Sequence, residues 1–225
     1  MLMRFAILLP TIRDVAGAAI AALFASCDVE FDLFVLRDFM GRGEGHIAAY
    51  NAALKMLDAG RHDFVVKMDD DILLKRGWQG AVLGAFERVA MLGVCGLDVS
   101  GTDAGHEYMV RGMPGGTMNQ MKRYGETEFI EVVEGNVGGV FIVSPTWLVL
   151  EVGKMPAPGG VKYPYYGDAW FCHAVKRRGY RTGYIRTANP PELVVYDDPA
   201  GYWDEKMADK ATAEPFIKQI LTGQV

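Results

Sequence analysis

The sequence predicts an α/β fold, with a mostly parallel central sheet flanked by helices and a smaller sheet or hairpin on one side. Two observations carry this. In the first hundred residues, short apolar runs at 5–9, 31–36, 64–68 and 94–97 alternate with segments long enough for helices at 15–26, 46–59 and 78–92. Alternation of that kind is how parallel strands are linked into a sheet covered by helices. Each run is also of strand length and bounded by turn or charged residues.

The elements follow in order. The first strand, 5–9, meets Pro10, and the Ala-rich stretch 15–25 reads as a buried helix face. The segment 46–59 sets Ile47, Tyr50, Leu54 and Leu57 on one face at helical spacing. The pattern breaks at Ser100. From there to about residue 128 the chain is rich in Gly, Met and polar residues, as in Gly112-Met-Pro-Gly-Gly116. That composition predicts an extended hairpin or a mobile loop over the sheet, of the kind that orders on ligand binding. Order returns with strands at 129–133 and 137–143, the second containing Gly138-Gly139. A helix at 169–178 then stops at Gly179, as a C-cap should. A short strand at 182–185 and a terminal helix from Tyr202 complete the chain. Neither a repeat nor a linker interrupts it, so a single domain over 1–225 is expected.

Composition narrows the class. Half of the 225 residues are hydrophobic, which supports a sizeable core. The net charge is −5, opposite to the basic excess expected of a protein that grips a nucleic-acid backbone. Nucleic acid is therefore the less favoured partner. Glycine, at 27 of 225 residues, exceeds the usual share of about 7%, which predicts tight turns and places where backbone approaches a ligand. Cys27, Cys95 and Cys172 are odd in number and in no CxxC pair, so a cytosolic, reducing compartment fits better than a disulfide scaffold. The apolar run at 5–9 is too short for a secretory core or a membrane span, and no integral membrane segment is expected.

Three places carry chemistry. The first is Phe64-Val-Val-Lys-Met-Asp-Asp-Asp71. Carboxylates at the carboxyl end of an apolar strand stand where open α/β sheets bind ligands. On an extended chain Asp69 and Asp71 would point the same way and converge on one hard cation, which would relieve their mutual repulsion. The bland alternative is an acidic turn capping the next segment. The second is Asp168, at the start of the late helix among Tyr165, Tyr166, Trp170 and Phe171. It is either an N-cap or a partly desolvated general base, and the segment alone leaves both open. The third is Leu9-Pro-Thr-Ile-Arg13, which follows the first strand and would lie beside the acids. Arg13 is there either a phosphate or nucleotide-base contact or a surface arginine.

Taken in order, these residues resemble the GT-A fold glycosyltransferases, in particular the family-two inverting group. The resemblance runs over about residues 4 to 187. It rests on strand-Pro-Thr, Asn51 within a helix, the strand ending in Asp-Asp-Asp, Gly-Gly before an apolar strand, and Gly-Asp-x-x-Phe with Gly-Tyr eleven residues beyond the Asp. It implies a nucleotide-binding half at 1–99, an acceptor-side half at 100–187 and a C-terminal tail at 188–225. It also implies that Thr11, Arg13 and Asp38 hold the nucleotide, and that Asp69, Asp70 and Asp71 hold the ribose and the metal–diphosphate, with Mn2+ or Mg2+ as the ion. Gly138 and Gly139 would pass close to the donor sugar, and Asp168 would deprotonate the acceptor hydroxyl.

The implied activity is metal-dependent, inverting transfer of a sugar from a nucleotide-diphosphate donor, a UDP-sugar first, to a hydroxyl of a glycan or other acceptor. The chain departs from the pattern twice. Gly167 stands where the family usually has Glu before the base. No late histidine follows Arg186, and Asp197 or Asp198, in Val194-Val-Tyr-Asp-Asp198, is the candidate for that metal position, Asp197 first. Two other readings stay in view. A sugar nucleotidyltransferase would open with a Gly-rich signature that Pro10-Thr-Ile-Arg13 lacks. A carbohydrate- or nucleotide-binding protein on a degenerate transferase scaffold would tolerate both departures.

Overall fold

The computed structural model describes residues 3–11, 17–37, 45–98, 121–123, 129–133, 135–138, 140–156, 167–187, 190–193 and 202–222. Its strands are β1 (Phe5–Thr11), β2 (Phe31–Arg37), β3 (Phe64–Met68), β4 (Ile72–Leu73), β5 (Leu92–Leu97), β6 (Met121–Arg123), β7 (Phe129–Val132), β8 (Phe141–Pro145), β9 (Arg181–Ile185) and β10 (Glu192–Leu193). Eight of them form one sheet in the order β2-β1-β3-β8-β5-β9-β7-β6, and β4 pairs with β10 apart from it. The α/β architecture expected from the sequence is the one found. Strands β2, β1 and β3 are parallel, as are β5 and β9. The sheet is mixed overall, because β8 runs antiparallel between β3 and β5 and the β7–β6 edge is antiparallel too.

The helices are α1 (Gly17–Ser26), α2 (Gly45–Ala53), α3 (Trp78–Arg88), α4 (Thr146–Val152), α5 (Gly167–Arg177) and α6 (Tyr202–Leu221). Apolar residues of β1 are at most 1% exposed from Phe5 to Leu9, and every residue of β5 is buried. Both strands are therefore covered on two faces, which is why they read as continuous apolar runs. Trp78 at the start of α3 pins one face, with its ring 5.6 Å from Phe5 and 5.5 Å from Phe141.

Two glycines permit close packing. A Cβ on Gly93 of β5 would lie 2.5 Å from Val175 Cγ1 and 2.8 Å from Tyr180 Cβ. One on Gly183 of β9 would lie 2.4 Å from the Ile130 carbonyl and from the Phe129 ring. Gly93 thus lets α5 approach the sheet and Gly183 makes room for β7 beside β9, so part of the glycine excess serves packing instead of ligand approach.

Three local expectations change. The strand expected at 137–143 begins at Phe141 and runs to Pro145. Before it, Asn136 to Gly138 are buried but irregular, with Gly138 outside the strand. Helix α4 was not foreseen, although Pro145 before it and Gly153 (φ 78°) after it are recognisable start and stop signals. The helix expected at 46–59 ends at Ala53 and closes with a 3-10 turn at Leu54–Met56. Most of the expected loop over 100–128 lies outside the described residues, where only β6 is seen, paired with β7.

Candidate active site

Parallel pairing of β1 with β3, in the register Leu8↔Lys67, brings the carboxyl ends of the two strands side by side. Three residues further along both, Thr11 Oγ1 donates to Asp70 Oδ2 at 2.5 Å, and both side chains are buried. Asp69 follows β3 directly. Its carboxylate pairs with the ammonium of Lys67, two residues earlier. Its backbone N–H donates to the Val140 carbonyl at 2.8 Å.

The three acids thus divide. β3 ends at Met68, and Asp70 and Asp71 lie in a turn before β4. Strand alternation therefore stops before all three acids and does not set the directions of Asp69 and Asp71. Lys67 and the Thr11 hydroxyl relieve part of the repulsion that the sequence alone assigns to a cation.

The neighbouring strand ends meet here as well. Thr11 pairs in register with Arg37, the last residue of β2. Leu193 of β10 pairs antiparallel with Ile72, the residue after Asp71. Arg13, Asp38, Gly139 and Asp197 themselves lie outside the described residues. The oxygen-only donor set of the acidic turn suits a hard divalent ion. Among the described residues no group of three or more His, Cys, Asp and Glu side chains is gathered to hold a metal unaided. An ion here would therefore rely on one or two carboxylates and on ligand phosphates, as Mg2+ commonly does.

Asp168 sits in the first turn of α5. It is half-buried, its Oδ1 accepts from the Ala169 N–H at 2.8 Å, and its Oδ2 accepts from Asn136 Nδ2 at 3.0 Å. One carboxylate therefore serves as a cap and also receives a side-chain donor. Asn136 escaped the sequence reading, and the only signal for it was a polar residue just ahead of Val137-Gly138. Lys176 of α5 donates to the carbonyls of Gly135 (2.7 Å) and Val133 (3.2 Å), holding that segment against the helix. From Asn136, bound to Asp168, to Val140, bound to Asp69, the chain spans four residues, at most about 14 Å. One short segment thus links the acidic turn to Asp168.

On the other side of α5, Trp170 meets Tyr50 of α2 edge-on at 6.5 Å. Asn51 makes a two-way bond to Met155: its Nδ2 donates to the Met155 carbonyl (3.0 Å) and its Oδ1 accepts from the Met155 N–H (2.8 Å). This anchors the chain just before the segment that leads into α5. Tyr165 and Tyr166 of that segment are outside the described residues. The cysteines offer no nucleophile. All three are free thiols, burial pushes Cys27 up to about 11 and Cys172 up to about 12, and Cys95 is raised further by the same cause. Among the described residues no helix is long and apolar enough to cross a membrane.

No family model matches the chain, and no curated protein matches its sequence. Solved structures do match its shape. Glucosyl-3-phosphoglycerate synthase from Mycobacterium tuberculosis, in complex with Mn2+, UDP and phosphoglyceric acid, superposes with a TM-score of 0.59 at 12% identity, over 97% of this chain and 78% of that one. TarS of S. aureus gives 0.55 at 16%, over 97% and 42%. A mannosyltransferase from Pyrobaculum calidifontis, in complex with GDP-Man and Mn2+, gives 0.53 at 15%, over 98% and 68%. The fold is GT-A-like. At these identities the likeness is one of fold, and the chemistry of a GT-A-like chain has to be argued from its own residues.

Proposed function

We propose that this GT-A-like protein is a metal-dependent glycosyltransferase that moves a sugar from a nucleotide-diphosphate donor, a UDP-sugar first, to an acceptor hydroxyl with inversion. The observation that carries the reading is the short link between two carboxylate sites of different character. The acidic turn 69–71 closes the ends of β1 and β3, where α/β sheets bind nucleotides. Asp168, one chain segment away, is half-buried beside aromatic residues with both oxygens facing N–H donors.

In this reading Thr11, Arg13 and Asp38 bind the nucleoside, and Asp69, Asp70 and Asp71 face the ribose and diphosphate. Asp197 completes the metal set from the segment after β10. A bound Mn2+ or Mg2+ supplies Lewis-acid neutralisation of the charge that develops on the leaving diphosphate. Gly138 and Gly139 leave room for the donor sugar. Asp168 accepts the proton of the acceptor hydroxyl as that oxygen attacks the anomeric carbon from the face opposite the diphosphate, so one displacement inverts the configuration. Asn136 keeps the Asp168 carboxylate aimed. Positioning and electrostatics then supply most of the rate.

A screen of UDP- and GDP-sugars for Mn2+-dependent hydrolysis without acceptor tests the reading. Release of sugar from one of them, dependent on metal, is the expected result. Failure of every nucleotide to bind with or without Mn2+ would leave a scaffold without donor chemistry.

A further inference from the structure

Lys67 is out of place for a packing residue. It sits in β3 between Val66 and Met68, both 0% exposed, and is flanked in register by Leu8 of β1 and Ile142 of β8. A lysine inside a sheet, with apolar neighbours on both adjoining strands, has to carry its charge out along the strand direction. The direction it takes is towards the carboxyl end, where its ammonium reaches Asp69 Oδ1, and the side chain remains 29% exposed. Methionine would fill the same volume without the cost of placing an ion there. The position therefore keeps a charge that packing does not need, at the mouth of the acidic turn.

We propose, resting on the donor reading above, that Lys67 is a resident cation of the donor site with two alternating partners. With no donor bound it neutralises Asp69 and so weakens the affinity of the acidic turn for a metal ion alone. With a nucleoside diphosphate bound, the ammonium swings from Asp69 to a phosphate oxygen, and Asp69 is released to the metal–diphosphate. A lysine stem with four rotatable carbons allows that exchange with little backbone movement. The arrangement makes metal and donor bind as a pair, since each provides the charge that Lys67 and Asp69 otherwise provide for one another.

The test compares wild type with Lys67→Met and Lys67→Arg, using MnCl2 alone, UDP or GDP in EDTA, and both together, by titration calorimetry. Lys67→Met is expected to bind Mn2+ alone about tenfold more tightly, because Asp69 loses its counter-ion. It should bind the metal-free nucleotide about tenfold more weakly, a loss of about 1.4 kcal/mol. Lys67→Arg should restore the nucleotide affinity. A melting curve for Lys67→Met at or above that of wild type checks that the fold is intact. An unchanged Mn2+ affinity, or an unchanged affinity for metal-free nucleotide, would overturn the inference while leaving the donor reading standing. A wild-type protein that binds neither nucleotide even with Mn2+ would overturn both.

Discussion

Asn136 donates its amide to Asp168 Oδ2 at 3.0 Å across 32 residues of chain. A helix cap needs no such partner, because the other oxygen of Asp168 already accepts the Ala169 N–H. The second bond fixes the direction of the carboxylate, as an orienting group does for a general base. Asp168→Asn keeps the shape and the cap but cannot take up a proton, so transfer should fall by about 10²–10⁴-fold with donor affinity little changed. Asn136→Ala should lower kcat less and leave donor affinity alone. Steady-state kinetics with a separate nucleotide titration check both. An Asp168→Asn protein that transfers sugar at the wild-type rate would make Asp168 a cap and nothing more.

The acidic turn predicts a different signature. Asp71→Ala should abolish the Mn2+-dependent part of nucleotide binding, since an ion held by one or two carboxylates and the ligand phosphates has few ligands to lose. Thr11→Val removes the hydroxyl donor to buried Asp70 and should weaken donor binding and lower stability by about 1–3 kcal/mol. Wild-type metal and nucleotide binding in Asp71→Ala would mean that the turn only caps the strand.

Much of this arrangement is legible in the residues. The apolar runs at 5–9, 31–36 and 64–68 carry the parallel β2-β1-β3 block nearly to the residue; β1 and most of β3 are buried, and buried strands have little freedom in composition, while β2 is only partly covered. The acids at 69–71 and the carboxylate at 168 are visible as charge set against apolar context. What escapes is whatever depends on where a strand stops. Alternation predicts convergence of Asp69 with Asp71, yet the chain leaves β geometry after Met68 and the pattern no longer applies. Asn136 and Lys67 escape for another reason. A lone amide or lysine has no period, and its meaning comes from a partner that only the folded register supplies.

The close approach of α5 to the sheet predicts opposite signs for two glycine substitutions. Gly93→Ala places a methyl 2.5 Å from Val175 Cγ1 and should destabilise by about 1–3 kcal/mol through overpacking. For a chain of this size that lowers the melting temperature by about 2–4 °C per kcal/mol. Gly80→Ala, exposed on α3 with nothing within 4 Å of the new methyl, should raise stability by about 0.5–1 kcal/mol through helix entropy. Melting curves of the two variants decide it, and equal shifts in the same direction would mean that the β5–α5 contact is looser than described.

The last prediction concerns the opposite end of the strands, where β1, β2 and β3 begin. Asp32 of β2 accepts from buried His62 Nε2 at 2.8 Å and from Arg4 at 2.9 Å, and pairs with Arg61 at 2.9 Å. The Asp58 N–H donates to His62 Nδ1 at 3.3 Å, which leaves Nε2 to carry the proton towards Asp32. The His62 hydrogen bond first, and the two arginines after it, hold the Asp32 carboxyl below its ordinary value. A depressed carboxylate pKa stabilises the fold at every pH above the unfolded value, about 4, and that contribution disappears as pH falls through the folded value. Asp32→Asn should therefore melt below wild type at pH 7. The gap should hold down to about pH 4 and narrow as the pH is lowered further. Donor binding at pH 7 should be unaffected, because the acidic turn lies at the other end of β3. Melting temperatures of both proteins between pH 7 and pH 3 provide the measurement. A gap of constant size across that range would mean that Asp32 acts through shape and hydrogen bonding alone, with its charge contributing nothing to the joining of the three strands.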